Sequence, residues 1–149
     1  GAKGKPARIS RAHVESLLGR GRDANVFHLA DMVMGRQPAK AIGVLRDLTD
    51  AGETAFSLLP RLSAQIGRFL AMREAVDQGV SPEEVVRAAS PTLPPAIRVR
   101  TARQLASFDQ ERLVSALRMV RKTDQAIKGS GSGSDVAHVE SLIFRIAAL

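Results

Sequence analysis

The sequence predicts an all-α protein, a compact bundle of about six to seven helices with a short helix in front of it. Three observations point there. Apolar residues recur at spacings of three and four along nearly the whole chain. Aromatic residues make up 3% of the chain, five Phe with no Trp or Tyr, so a core must be built from Leu, Val, Ile, Ala and Met. That suits helices packing through aliphatic stripes better than a sheet. Finally, no segment alternates apolar and polar residues between hairpin turns, as a half-buried strand would.

The elements follow in order. Residues 1–9 read as a flexible basic tail. Ser10 is placed to cap a short helix from Arg11 to Leu18, stopped by Gly19 and Gly21. Asp23 is placed to cap the next, whose stripe is Val26, Phe27, Ala30, Val33 and Met34, ended by Gly35. A helix from about Pro38 to Ala51 carries Ala41, Val44, Leu45 and Leu48, with Pro38 in its first turn and Gly52 just past its end. The longest helix, about Thr54 to Gln78, has Ala55, Leu58, Leu59, Leu62, Ile66, Phe69, Leu70 and Val76 on one stripe. Pro60 falls in its first two turns, where a proline can kink it, and Gly79 closes it.

Ser81-Pro82-Glu83-Glu84 is a start signal: an N-cap, a proline at the first position and acid in the first turn. The short helix it opens runs to about Ala89, and Ser90 to Pro95 is a turn with three prolines. A helix over about Pro95 to Ala106 follows. Asp109 then caps one to about Lys128, with Leu113, Leu117, Val120 and Ile127 inward. Gly129 to Ser134 alternates Gly and Ser and reads as a flexible loop, either an engineered linker or a natural glycine-rich turn. Asp135 starts the last helix, with Val136, Val139, Leu142, Ile143 and Ile146 inward. Short turns between helices imply that neighbours pack antiparallel.

Composition excludes several classes. With no cysteine there is no disulfide, thiolate metal site or thiol nucleophile, and a reducing cytoplasm fits. No apolar run reaches the roughly 18 residues a membrane span needs. The basic opening, Gly1 to Arg11, has no apolar region of a signal peptide, and the absence of an initial Met suggests a piece of a longer protein. The net charge of +7 is concentrated: six basic and two acidic side chains in residues 1–23, and eight basic and three acidic in residues 94–128. Such segments suit nucleic acid or an acidic protein partner, or are simply solvated faces.

Sites of chemistry are hard to find. The chain has no Gly-x-x-x-x-Gly-Lys-Ser/Thr to cradle a triphosphate, so ATP hydrolysis is not expected. His13, His28 and His138 fall on three different helices and form no metal motif, although His28 and Asp31, three apart, are spaced to pair. Glu83 and Glu84 are explained by the helix N-terminus they occupy. No metal or cofactor is expected.

Residues 81–106 resemble a helix-turn-helix in outline, with Arg98, Arg100 and Arg103 on the second helix to meet phosphates and bases. Its turn is long and rich in proline, and Gln104 alone is available for adenine edges. Arg118, Arg121 and Lys122 form the densest basic cluster, without interleaved aromatics for base stacking. Asp124 and Lys128, four apart, are spaced to pair.

The order of short motifs is similar to that of the delta subunits of bacterial DNA polymerase III clamp loaders. Val26-Phe27-His28-Leu29-Ala30-Asp31 precedes Gly35 and Pro38-Ala39-Lys40-Ala41, then Val44-Leu45 with Leu48, and Ala51-Gly52-Glu53. Gln65-Ile66 with Phe69-Leu70, and Gly79 through Val85, come next. Ala102-Arg103-Gln104, Phe108, Leu113, Leu117, Asp124, Ile127-Lys128-Gly129, Glu140, Leu142 and Ile143 complete the series. The likeness covers about residues 9–149 and rests on the ordered series.

The resemblance implies that residues 24–149 form a helical collar-like domain, which in the family holds five subunits in a ring. Ile9 to Gly19, within the segment 10–23, looks like the closing helix of a lid-like domain or a linker. The family's N-terminal module, which carries the element that opens the sliding clamp, has no counterpart here, and the family's delta subunit lacks a working ATP site. Ser90-Pro91-Thr92-Leu93-Pro94-Pro95 departs from the family's plain turn.

The expectation is therefore a non-catalytic assembly domain of a cytoplasmic clamp loader in DNA replication, part of a DNA polymerase holoenzyme. Its expected partners are the other loader subunits, with the sliding clamp reached only through the missing module and no membrane involved. The rival is a small basic DNA-binding module using residues 81–106. Residues expected at an interface or facing DNA are Arg98, Arg103, Arg118, Arg121, Lys122 and Arg145.

Overall fold

The computed structural model describes residues 25–130 and 135–149, and all regular structure among them is helical. The helices are α1 (25–34), α2 (Pro38–Asp50), α3 (Ala55–Asp77), α4 (Pro82–Ala89), α5 (Pro95–Ser107), α6 (Gln110–Ser130) and α7 (Asp135–Ala147). The tail 1–9, the segment 10–23 with its helix, the cap expected from Asp23 and residues 131–134 lie outside the described residues. Gly129 and Ser130, expected in a loop, extend α6.

Helix starts follow the sequence signals. The Ser81 hydroxyl accepts the Glu84 backbone N–H at 3.3 Å, and the Asp109 carboxylate accepts that of Arg112 at 2.8 Å. Thr54 caps α3 reciprocally with Ser57: each hydroxyl accepts the other's backbone N–H, at 3.2 and 3.1 Å. Pro60 stays inside α3, a helix of 23 residues that runs on past it to Asp77.

Three helices stop in the same way. After α2 and α3 a glycine turns left-handed, Gly52 at φ +100° and Gly79 at φ +105°. The following N–H groups reach back to close the end: Glu53 to the Leu48 carbonyl at 3.0 Å and Val80 to the Ala75 carbonyl at 3.2 Å. After α1 the same bonds form, Gln37 N–H to Met32 at 2.9 Å and Arg36 N–H to Val33 at 3.1 Å. There the left-handed residue is Arg36, at φ +57°, and not the preceding Gly35.

The core is aliphatic, as expected, but two stripe positions differ. Phe27 is 47% exposed while Leu29, which the stripe omitted, is buried. Val136 is at the surface, and Val139, Leu142, Ile143 and Ile146 carry the inward face of α7. Neighbours in sequence are also not uniformly partners. α3 packs most extensively on α6, and α2 on α7, whereas α3–α4, α4–α5 and α6–α7 are adjacent in both senses. Length explains the first pairing. α3 presents an apolar stripe about 35 Å long at 1.5 Å per residue, and among the described helices only α6, with 21 residues, comes close to matching its 23.

Candidate functional site

α5 ends in extended backbone at Phe108, with no glycine turn to bond its last carbonyls. Arginines from elsewhere do this instead. Arg36 donates to the Ser107 carbonyl at 3.0 Å and to the Ala147 carbonyl, at the end of α7, at 3.2 Å. Its guanidinium carbon lies 4.1 Å from the centroid of the Phe108 ring. Arg73 donates to the Leu105 carbonyl at 3.2 Å while paired with Asp77 at 2.9 Å. Arg112 donates to the Leu149 carbonyl at 2.8 Å. Cations at helix C-termini also meet the negative end of the helix dipole. Part of the positive charge is thus structural, and sequence reasoning missed it because donor and acceptor are 71 and 111 residues apart for Arg36. No local signal marked it, because Gly35, one residue earlier, already reads as the stop of α1.

Asp31 is a second link. Its carboxylate accepts from the buried Gln104 amide at 2.6 Å and pairs with Arg100 at 3.1 Å, so it turns to α5 and not to His28. Beside this contact Gly35 suits the close turn, since a Cβ there would sit 3.0 Å from the Asp31 backbone carbonyl.

The expected interface residues divide between surfaces. Arg98 and Arg103 are five residues apart on α5, about 140° around a helix at 100° per residue, and Arg100 is held by Asp31. The three arginines therefore do not share one reading face. Arg118 and Arg121 are exposed on α6 and line a groove together, with Lys122 exposed beyond its edge. Arg145, on α7, donates to Thr123 of α6 at 3.4 Å. Lys128 pairs with Asp124 at 2.8 Å, as their spacing implied. Among the described residues no cluster of three or more His, Asp or Glu is arranged to hold a metal, and no helix is long and apolar enough to cross a membrane.

Among the described residues two grooves stand out. One, of about 490 Å³, lies between the start of α3 and α6 and is lined by Leu59, Pro60, Val114 and Leu117 beneath Arg118 and Arg121. The other, of about 580 Å³, lies where α1, α3 and the α4–α5 pair meet; Phe27, Phe69, Met72 and Ile97 form its apolar part. Its cations are already engaged, Arg68 with the Ser90 hydroxyl at 2.9 Å and Arg100 with Asp31. Phe27, Phe56 and Phe144 are exposed at 47%, 49% and 53%, so three of the chain's five phenylalanines stand on the surface.

A family model described as the DNA polymerase III delta subunit, C-terminal domain, matches residues 23–146. Among solved structures, the chain is similar to the Bacillus subtilis DNA clamp loader delta protein (YqeN), at 20% identity with a TM-score of 0.65. That match covers 93% of this chain and 40% of the Bacillus chain, and shows a common fold. No curated protein sequence matches.

Proposed function

This chain belongs to the family formed by the C-terminal domains of DNA polymerase III delta subunits, and from that premise we propose that it is the non-catalytic collar domain that holds a delta subunit in the clamp-loader ring. Its partners are the C-terminal domains of the other loader subunits. It contributes to loading of the sliding clamp in cytoplasmic DNA replication by keeping the ring together, and contact with the clamp itself belongs to the delta N-terminal module. The domain uses no cofactor of its own.

The observation that carries this reading beyond the family match is the placement of phenylalanine. A chain with five aromatic residues exposes three of them, on α1, α3 and α7. Aromatic residues are enriched where proteins meet, because each removes a large apolar area from water. A monomer that kept these faces wet would leave that area uncovered. The DNA-binding alternative gains no comparable support, since the arginines of α5 are dispersed around the helix and one is engaged with Asp31.

The test is deletion in the parent chain. A delta chain lacking residues 23–146 should fail to co-purify with the other loader subunits while the intact chain does so. Equal recovery of both would place the assembly contacts outside this domain.

A further inference from the structure

The groove between α3 and α6 has a chemistry of its own. Its floor is aliphatic: Leu59 is 1% exposed and Leu117 is half-buried. One wall continues along the α3 surface from Pro60 to Phe56, four residues earlier and 49% exposed. Because proline has no N–H, the Phe56 carbonyl on that wall also lacks its usual helical donor. The other wall is cationic. No ion pair or hydrogen bond joins Arg118 or Arg121 to any described residue. The one acid lining the groove, Asp124, is neutralised by Lys128 at 2.8 Å.

We propose that this groove is a docking site for an amphipathic helix of a neighbouring loader protein, one with an apolar face and acidic residues along one edge. The inference rests on the assembly reading and deepens it by assigning the surface and the chemistry of the partner. Charge complementarity selects the acid: two unpaired guanidiniums beside an apolar floor fit carboxylates flanking leucine-like side chains, with a bidentate match for each arginine. The groove runs beside α6 from Val114 to Lys128, four turns or about 21 Å at 1.5 Å per residue. Apolar anchors at helical spacing would fill such a length. Nucleic acid fits less well, since phosphates gain nothing from the aliphatic floor and the cations line one wall only.

The experiment uses the full-length delta chain and measures its affinity for the other purified loader subunits by titration calorimetry, with light scattering to confirm the complex. Arg118→Glu and Arg121→Glu should each weaken association about tenfold or more, the scale of a like-charge contact placed in an interface. Phe56→Ala should also weaken it, and Lys40→Glu, an equal charge change on α2, should not. Thermal unfolding of each variant verifies the fold.

If wild type associates and both arginine reversals associate equally well, the groove inference is overturned and the assembly reading stands. If wild type does not associate, both are overturned. If the reversals leave affinity for the loader subunits unchanged but abolish binding to a duplex oligonucleotide, the groove serves nucleic acid and the proposal is wrong.

Discussion

The guanidinium of Arg36 stacks 4.1 Å from the ring centroid of Phe108, a side chain with no solvent exposure, and from there bonds the ends of α5 and α7. One arginine thus closes α1 with its backbone and two other helices with its side chain. It sits in a left-handed conformation at φ +57°, which costs an ordinary residue roughly 1–2 kcal/mol.

Two substitutions separate these roles. Arg36→Ala keeps the backbone strain and loses both bonds, so it should lower stability by about 3 kcal/mol, the scale of two hydrogen bonds from a charged donor. Arg36→Gly loses the same bonds but relieves the strain, so it should be less destabilising by about 1 kcal/mol. Urea unfolding midpoints at constant slope measure both. A glycine variant as stable as wild type would show that the guanidinium bonds contribute no more than the strain it relieves, about 1 kcal/mol.

Gln104 and Arg100 both reach Asp31, but from different surroundings. Gln104 is buried, at 7% exposure, and the Arg100 side chain is 52% exposed. Gln104→Ala strips the half-buried Asp31 carboxylate of its 2.6 Å donor and should cost about 1–3 kcal/mol. Arg100→Ala should cost about 1 kcal/mol or less, because an exposed ion pair is screened by water. The reverse order in denaturant titrations would mean that the ion pair, not the amide, holds α1 to α5.

The N-terminus of α3 gives a third outcome. Thr54→Ala removes the hydroxyl that accepts the Ser57 N–H at 3.2 Å and should destabilise by about 1 kcal/mol. Glycines inside helices should respond in the opposite direction. A Cβ at Gly43 or Gly67 would meet nothing within 4 Å. Gly43→Ala and Gly67→Ala should each raise stability by about 0.5–1 kcal/mol, read as a rise in melting temperature.

Helix identity was largely legible in the sequence because local chemistry decides it. The cap at Ser81, the glycines at 52 and 79 and the aliphatic stripe of α3 each act within a few residues of where they stand. Who packs against whom was less legible. Short turns suggested neighbour pairing, yet matched length brings α3 onto α6. The role of Arg36 was not legible at all, since a charged residue after Gly35 looks like ordinary surface until α5 and α7 are folded against it. The residues expected at an interface are spread over several surfaces. Arg118 and Arg121 do share a groove, while Phe27, placed inward by its spacing, and Phe56 proved to be surface aromatics. Helical periodicity marks what is apolar and does not tell a face turned to the core from a face turned to a partner.

Whether the chain acts in assembly is read out by size-exclusion chromatography with light scattering. The chain would be run alone and mixed with the other clamp-loader subunits. An assembly domain gives a co-eluting complex whose mass exceeds that of any single component. A chain that elutes unchanged from every mixture, at its monomer mass of 16.0 kDa, would contradict that role.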